Sequence, residues 1–540
     1  MPATHEVTNQ APPLQGHDVA AYRPLLDGVR ANGAGWAEDA LHELGTLAGS
    51  AQAQEWGRVA EKVPPVLHTH DRYGHRIDEV EYHPYYHELM GVSVRNGLHA
   101  APWREEKPGA HVARSAKMFV WCQADAGHLC PISMTYAAIP ALRTEPELAR
   151  SYEPLLTNPV YEPELRAPLE KSALIAGMSM TEKQGGSDVR ANTTKAVPNA
   201  DGSFALTGHK WFTSAPNSDV FLTLAVAPGG LSCFLVPKIL PDGSRNTVHL
   251  QRLKDKLGNK SNASSEIEYD NALGWPIGEQ GRGVATIIKM VNMTRLDCLT
   301  CSASAMRLGL SQALHHARYR SAFGGLLIDA PLMRNVLADL AIEAEAATLV
   351  TMRLAGAVDR AGADEHEAAL RRIGIAISKY WVCKRAPVHA GEALECLGGN
   401  GYVEESGMPR LYREAPLTSI WEGSGNVAAL DALRAMARQP ATVEAYFAEV
   451  DKASGVDARL DDAIAVLRKE LSDFEDVEYR ARRVVELMAL VLQGAELHRT
   501  GDAAVADAFC ATRLGGDWGG AFGTLPSAAN TDAILSRATI

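Results

Sequence analysis

The hydrophobic period of this chain changes twice, and that alternation constrains its fold more than any other feature. From Gly35 to about Ala176 apolar residues recur at helical spacing, interrupted at Pro64 and Pro65, Pro108 and Gly109, and Pro131. Between Met178 and about Leu273 the period falls to two. Phe204 and Leu206 follow an Asp201-Gly202 turn, an apolar run covers Phe221 to Val226, and Cys233 to Val236 follows a Gly229-Gly230 turn. Further runs at Val248 to Leu253 and Glu266 to Tyr269 predict an antiparallel sheet. Helical spacing resumes near Val284 and lasts to about Arg438, with segments such as Met306 to Arg320 and Leu332 to Val358 that suit a four-helix bundle. Another helical stretch, Val443 to Leu497, follows Gln439-Pro440, and the Gly-rich segment Gly515 to Pro526 reads as irregular. The first thirty or so residues, rich in Pro, Gln, Gly and Asn, read as an arm that wraps over something.

The predicted fold class is therefore α+β in four parts. An N-terminal arm and helical domain cover residues 1–177, a middle antiparallel β domain 178–275, a C-terminal four-helix bundle 276–440, and an extra helical region 441–540. A sheet block set between helical blocks leaves crevices at its junctions, where ligands tend to sit.

Composition narrows the function classes. The 540 residues are 46% hydrophobic, as in soluble proteins, and no run of about 18 uncharged apolar residues offers a membrane span. Met1 to Gln10 has no basic start followed by an apolar run, so a cytoplasmic protein without a membrane partner is expected. The eight cysteines are scattered. Only Cys298 and Cys301 stand at CxxC spacing, and zinc would need a second such pair, so reduced buried thiols and no metal site are expected. His83 and His87 are spaced as a metal pair, but HPYYH lacks the glutamate of HExxH, and both read as structural. The net charge of -12 argues against charge-driven binding to DNA or an anionic membrane.

Four motifs carry chemistry. The first, Met180 to Val189 (MTEKQGGSDV), marks the change from helix to sheet. Paired glycines let the backbone approach a ligand, and adjacent N–H groups with a Ser hydroxyl can bind a pyrophosphate or a ring edge; alone, the stretch also fits a plain turn. The second, Thr207 to Ser214 (TGHKWFTS), places a hydroxyl pair after two aromatics. An aromatic can cover a flat cofactor while a hydroxyl reaches its edge, although an aromatic pair in a sheet is equally a core feature. The third, Arg320 to Gly324 (RSAFG), ends a long helix with an arginine suited to a phosphate or to solvent. The fourth runs from Leu397 to Tyr402 (LGGNGY), through Pro409 to Arg413, to Ile420 to Asn426 (IWEGSGN). Helical spacing after Asn426 predicts that Asn426 is an N-cap, with Glu422 in the loop before it, where it also fits an exposed loop acid.

In this order and at these separations the four motifs resemble the acyl-CoA dehydrogenase family over roughly Leu129 to Arg438. Within it the chain most resembles the AidB branch, the alkylation-response flavoproteins. Leu129 to Thr135 (LCPISMT), MTEKQGGSDV, Leu253 to Ser264 (LKDKLGNKSNAS), PRLYREAP before IWEGSGN, and a tail of about 100 residues past the bundle carry that likeness.

The resemblance implies FAD, and a carboxylate that removes the α-proton of an acyl-CoA thioester while the β-hydride moves to flavin N5. The α-proton is far less acidic than a carboxylic acid, so such a base needs burial and the enolate oxygen needs donors. Glu422 stands where the family has its base, with its own backbone N–H among the oxyanion contacts. Some relatives put the base near Asn292 to Arg295; Thr294 occupies that position here and cannot serve, while Arg295 resembles the arginine under the active site. Met180, Thr181, Gly186 and Ser187 match flavin and pyrophosphate contacts, Phe212 and Ser214 the other flavin edge, and Trp421, Ser424 and Asn426 join the cofactor set. Arg320, Phe323, Glu395, Gly398 and Gly399 resemble residues reaching the FAD of a neighbouring subunit, which implies a homo-oligomer, a dimer of dimers; Glu395 replaces a more usual Gln. Trp421 replaces a usual Tyr and narrows the acyl pocket, so a small or branched acyl-CoA is the implied substrate. Electron-transfer flavoprotein or oxygen is the implied acceptor.

The AidB branch also implies an alternative, a DNA-protecting role in which the tail engages the duplex. Here residues 441–540 carry ten Lys or Arg against seventeen Asp or Glu. Their one basic group, Arg480, Arg482 and Arg483, is flanked by Glu475, Asp476, Glu478 and Glu486, which disfavours a phosphate track.

Overall fold

A computed structural model describes residues 3–473 and 475–540. The chain folds into two compact units that cut across the four contiguous stretches expected from its sequence. One unit combines Gln52–Lys107 with Ala124–Thr294; the other combines the chain up to Ala51, Pro108–Gln123 and Arg295–Ile540.

The first unit is built on a seven-stranded sheet. Strand Phe204–Ser214 pairs antiparallel with the long strand Ser264–Ile277, which also pairs with Val248–Leu253 and with Gly230–Pro237. Alternate residues meet on its apolar face: Phe204, Leu206, Phe234, Val236, Val248, Leu250, Ile267 and Tyr269 form one buried cluster. The sheet is not wholly antiparallel as expected. Ala176–Ser179 runs parallel to Val220–Ala227, because it enters from the helical segment and returns only after the intervening Lys195–Pro198 and Phe204–Ser214 hairpin.

The helical reading of the N-terminal region also needs correction. Val66–His70 and Arg76–Glu81 form an antiparallel hairpin whose Leu67 and Val80 pack on the sheet cluster. Its strands carry two histidines and several acids with one face near solvent, so no apolar alternation announces them.

In the second unit the bundle is as expected. The helix Gly283–Tyr319, from Arg295 onward, joins Pro331–Arg360, Glu365–Glu395 and Gly425–Arg438. Pro331–Arg360 is buried almost all round from Leu337 to Val358, including Asp339, Glu343, Glu345 and Arg353. Each buried charge has a partner: Arg513 for Asp339 and Glu343, Arg385 for Glu343, Arg537 for Glu345, and Glu367 with Glu449 for Arg353. Arg513, Arg537 and Glu449 come from the C-terminal region, which is thus part of the bundle's interior. That region is not one helical stretch but several helices, chiefly Ala441–Val450, Ala458–Ser472 and Val477–Thr500, followed by Ala503–Phe509 and Thr531–Arg537. The N-terminal arm does wrap over this unit: Asn9 exchanges hydrogen bonds with Ser321, and His315 bonds the Pro12 carbonyl. Among the described residues no helix is long and apolar enough to cross a membrane.

Candidate functional site

In the sheet unit, the loop that carries Met180, Thr181, Gly186 and Ser187 is pinned by a buried ion pair. Glu182 accepts from Lys210 Nζ at 2.8 Å, from Thr193 N at 2.7 Å and from Thr194 N at 3.2 Å, and both side chains are sealed from solvent. Burial alone would raise the Glu182 carboxyl, but the Lys210 ammonium and the Thr193 and Thr194 donors outweigh it and hold it down to about 2. Asn192 Nδ2 donates to the Met180 carbonyl, and Trp211 N donates to that of Thr181 at 2.8 Å. A Cβ on Gly186 would lie 2.6 Å from Thr181 Oγ1, so only glycine lets the loop fold back on that hydroxyl. Gly186 and Ser187 remain exposed beyond this anchored base.

The second motif adjoins it. The register of Phe204–Ser214 slips between Lys210 and Thr213, a bulge that turns Phe212 outward, 48% exposed, while Thr213 stays buried. Lys254 Nζ lies 3.3 Å from the centre of the Trp211 ring and 4.7 Å from that of Phe212. Ser214 Oγ lies 3.0 Å from Ser264 Oγ. An anchored glycine loop with the exposed Ser187 beside it and an outward aromatic form a set suited to a flat, phosphate-bearing cofactor.

In the bundle unit, Glu422 is partly buried and its backbone is left-handed, φ +58°. Two buried cations hold that conformation. Arg295 Nε donates to the Glu422 carbonyl at 3.0 Å, and Lys379 Nζ donates to the Gly423 carbonyl and, at 3.5 Å, to that of Ser419. Gly423, at φ +105°, must be glycine: a Cβ would lie 2.9 Å from Val427. Arg295 is braced by Asp431, which Arg372 also grips. Burial would raise the Asp431 carboxyl, but these two guanidiniums hold it below its ordinary value. Thr294 spends its hydroxyl on the Val291 carbonyl at 3.1 Å. Asn426 is not the N-cap expected. Ser424 takes that position, and Asn426 Oδ1 accepts from Arg482 Nε at 2.8 Å.

Arg320, Phe323, Glu395, Gly398 and Gly399 lie away from Glu422 in sequence but share one feature: the arm visits both of their motifs. Arg320 Nη1 donates to the Asn9 carbonyl at 2.5 Å, and Asn400 Nδ2 to Gln10 at 3.5 Å. Phe323 and Gly324 form the two-residue turn of the hairpin Ser321–Ala322 and Gly325–Leu326, both at positive φ, and the phenyl ring is fully exposed. Glu395, Gly398 and Gly399 are exposed as well.

Sequence reasoning missed Glu182, Lys210 and Lys379; Lys210 and Glu182 lie inside recognised motifs, but nothing in their spacing reveals that they pair. It missed also that Asp457, His498 and Cys510 converge. The arginines weighed for DNA are engaged. Arg480 bonds Glu470 at 2.6 Å and the Asp473 carbonyl, Arg482 bonds Asn426, and exposed Arg483 lies 3.8 Å from Glu470.

Residues 9–163 match the family described as the adaptive response protein AidB N-terminal domain, residues 177–272 the acyl-CoA dehydrogenase middle domain, and residues 281–437 the acyl-CoA dehydrogenase C-terminal domain. The chain is 43% identical, over 95% of its length and 94% of the relative's, to a putative acyl-CoA dehydrogenase AidB of Escherichia coli strain K12. It is 32% identical, over 75% of its length and 68% of the relative's, to acyl-CoA dehydrogenase family member 11 of Caenorhabditis elegans. The solved structure of Caenorhabditis elegans ACDH-11 in complex with C11-CoA matches with a TM-score of 0.86 at 28% identity, covering 94% of this chain and 93% of that one.

Proposed function

The chain belongs to the acyl-CoA dehydrogenase family, in its AidB-like branch, and on that premise we propose that Glu422 is the base of an FAD-dependent oxidation across the Cα–Cβ bond of a small or branched acyl-CoA. It is an oxidoreductase of that family, acting on a CH–CH group with FAD as cofactor. The observation that carries the reading is the clamp on the Glu422 loop: a non-glycine residue in left-handed backbone, held by two buried cations on consecutive carbonyls, is strain maintained by its surroundings.

Met180, Thr181, Gly186, Ser187, Phe212 and Ser214 would hold the flavin, and the family resemblance adds Trp421, Ser424 and Asn426 to the cofactor set. FAD, when bound, supplies the hydride acceptor. Glu422 takes the proton α to the thioester carbonyl, and its own N–H donates to the oxygen on which negative charge develops. Arg295 and Lys379 donate to backbone carbonyls of the Glu422 loop, and Arg295 also to Asp431, so they position the base. Arg295, which the resemblance sets under the active site, is a positioning residue on this geometry.

The C11-CoA complex of the nematode protein supports an acyl-CoA as ligand class, and Trp421 beside the base supports the shorter end of that class. The exposed set Arg320, Phe323, Glu395, Gly398 and Gly399 supports a homo-oligomer, a dimer of dimers in which these residues face a neighbour's cofactor. Electron-transfer flavoprotein or oxygen would reoxidise the flavin. A duplex-binding role gains no support from the engaged arginines of the tail.

The test is anaerobic mixing of the yellow protein with acyl-CoA thioesters, from short and branched chains to C11-CoA, followed by the Glu422→Gln variant. Bleaching by short or branched thioesters, lost in the variant with flavin retained, is the expected result. An unchanged oxidised spectrum across the panel, or undiminished turnover by the variant, would overturn the assignment.

A further inference from the structure

We propose that Asp457, His498 and Cys510 form a binding site for a divalent cation of the zinc type in the C-terminal helical region, separate from the residues assigned to flavin and thioester. Cys510 Sγ lies 3.4 Å from His498 Nε2, and the same Nε2 lies 3.8 Å from Asp457 Oδ2. All three ligand atoms lie within 4.8 Å of one another. A tetrahedral ion with bonds of about 2.0–2.3 Å holds its ligand atoms about 3.3–3.6 Å apart, so small side-chain adjustments close the set around one centre.

The arrangement is that of ligation and not of a nucleophile relay. In a relay the carboxylate binds the imidazole nitrogen opposite the one facing the nucleophile. Here thiol and carboxylate both face Nε2.

The three residues come from separate elements, each set in place by its own backbone. Asp457 caps the helix Ala458–Ser472, His498 lies in the last turn of Val477–Thr500, and Cys510 opens a π-helical turn, Cys510–Leu514, closed by the Gly515 N–H on the Cys510 carbonyl at 2.7 Å. Single π turns are rare and concentrate at functional sites. This one continues the helix Ala503–Phe509 without a proline or glycine to impose it. Cys510 is buried, while the side chains of Asp457 and His498 are 9% and 13% exposed, which leaves an entry path on one edge.

Arg459 is the competing ligand of Asp457. Its N and Nε donate to Oδ1 at 2.8 and 3.0 Å and its Nη2 to Oδ2 at 2.5 Å, and Asp507 binds the same guanidinium at 2.6 Å. An ionised carboxylate accepts about four such contacts, so a position remains for a metal. Burial, with the Asp457 charge behind it, pushes the Cys510 thiol up to about 12. On binding, the S–H bond breaks, a metal–sulfur bond forms and one proton passes to solvent, so affinity rises with pH. Three protein ligands leave the fourth position to water.

Chelator-treated holoprotein without a histidine tag, titrated with Co2+ alone, tests the site through tetrahedral ligand-field bands to the red of flavin absorption. Expected are bands that saturate at one Co2+ per chain, collapse on adding Zn2+, persist in Cys233→Ser, and are lost in both Cys510→Ser and His498→Gln. Absence of bands in the wild type, or their survival in Cys510→Ser, would overturn the site. Should circular dichroism show that Cys510→Ser does not fold, His498→Gln decides alone, since its partly exposed ring is the milder change.

Discussion

Lys379 lies under the Ser419 and Gly423 carbonyls with its side chain buried, so a shorter or neutral residue there leaves the Glu422 loop fastened by Arg295 alone. Lys379→Met is expected to lower kcat about 10- to 100-fold, with KM little changed and flavin retained, because misplacing a base by about 1 Å costs on that order; stopped-flow flavin reduction measures it. Glu182 makes a second residue-scale prediction. Its carboxyl is held near 2 in the fold against an ordinary value of 4.5, so its contribution is present above about pH 4.5 and fades as pH falls toward 2. Denaturant midpoints of wild type and Glu182→Gln should therefore converge across that window, whereas at neutral pH Lys210→Met, which strands the acid, should cost about 3–5 kcal/mol. The contrast between Glu422 and these lysines shows what a sequence can disclose. Glu422 sits in a contiguous run of glycines and small polar residues that is recognisable as a motif, whereas Lys379 occupies one position of a long helix and Lys210 one of a strand. A buried lysine is defined by the acceptors it meets, and those come from elsewhere in the chain.

The long helices were legible at the scale of elements because more than thirty residues of one period leave little room for another reading. What was lost was short or ambiguous: the polar hairpin at Val66–Glu81, the parallel pairing of Ala176–Ser179, and the breaks between Ala441 and Thr500 where Asp457 and the residues before Val477 end one helix and begin the next. Helix Ala441–Val450 is fastened to Pro331–Arg360 by Arg353, which bonds Glu449 through Nε and Nη2 and Glu367 through Nη1 and Nη2. Burial would raise the Glu449 carboxyl, yet Arg353 and Lys452 hold it at about 2. Arg353→Met removes the guanidinium shared by two buried carboxylates and leaves Glu449 with Lys452 and Glu367 with Arg360. A loss of about 3–5 kcal/mol is expected, and hydrogen exchange should show amide protection falling first in Ala441–Val450.

For the whole molecule, the C-terminal region behaves as interior. Arg513 meets Asp339 and Glu343, Arg537 meets Glu345 and Asp27, and Arg307 bonds the Ala538 carbonyl at 2.8 Å. Truncation after Gln439 would strand Asp339 and Glu345 inside the bundle and leave Glu343 with Arg385 alone, so that variant is expected to be insoluble or aggregated, as size-exclusion chromatography would report. The sequence read this region as an appendage because its charge balance and helical spacing look the same whether a helix covers a core or completes one.

The hairpin tip at Phe323 leads further. A phenylalanine in left-handed backbone carries about 1–2 kcal/mol of conformational strain, and its ring touches water on every side. In the homo-oligomer proposed above, packing of this ring against a second copy would offset that cost. Heat resistance should then fall on dilution, and Phe323→Asn, which relaxes the turn while removing the ring, should flatten that concentration dependence.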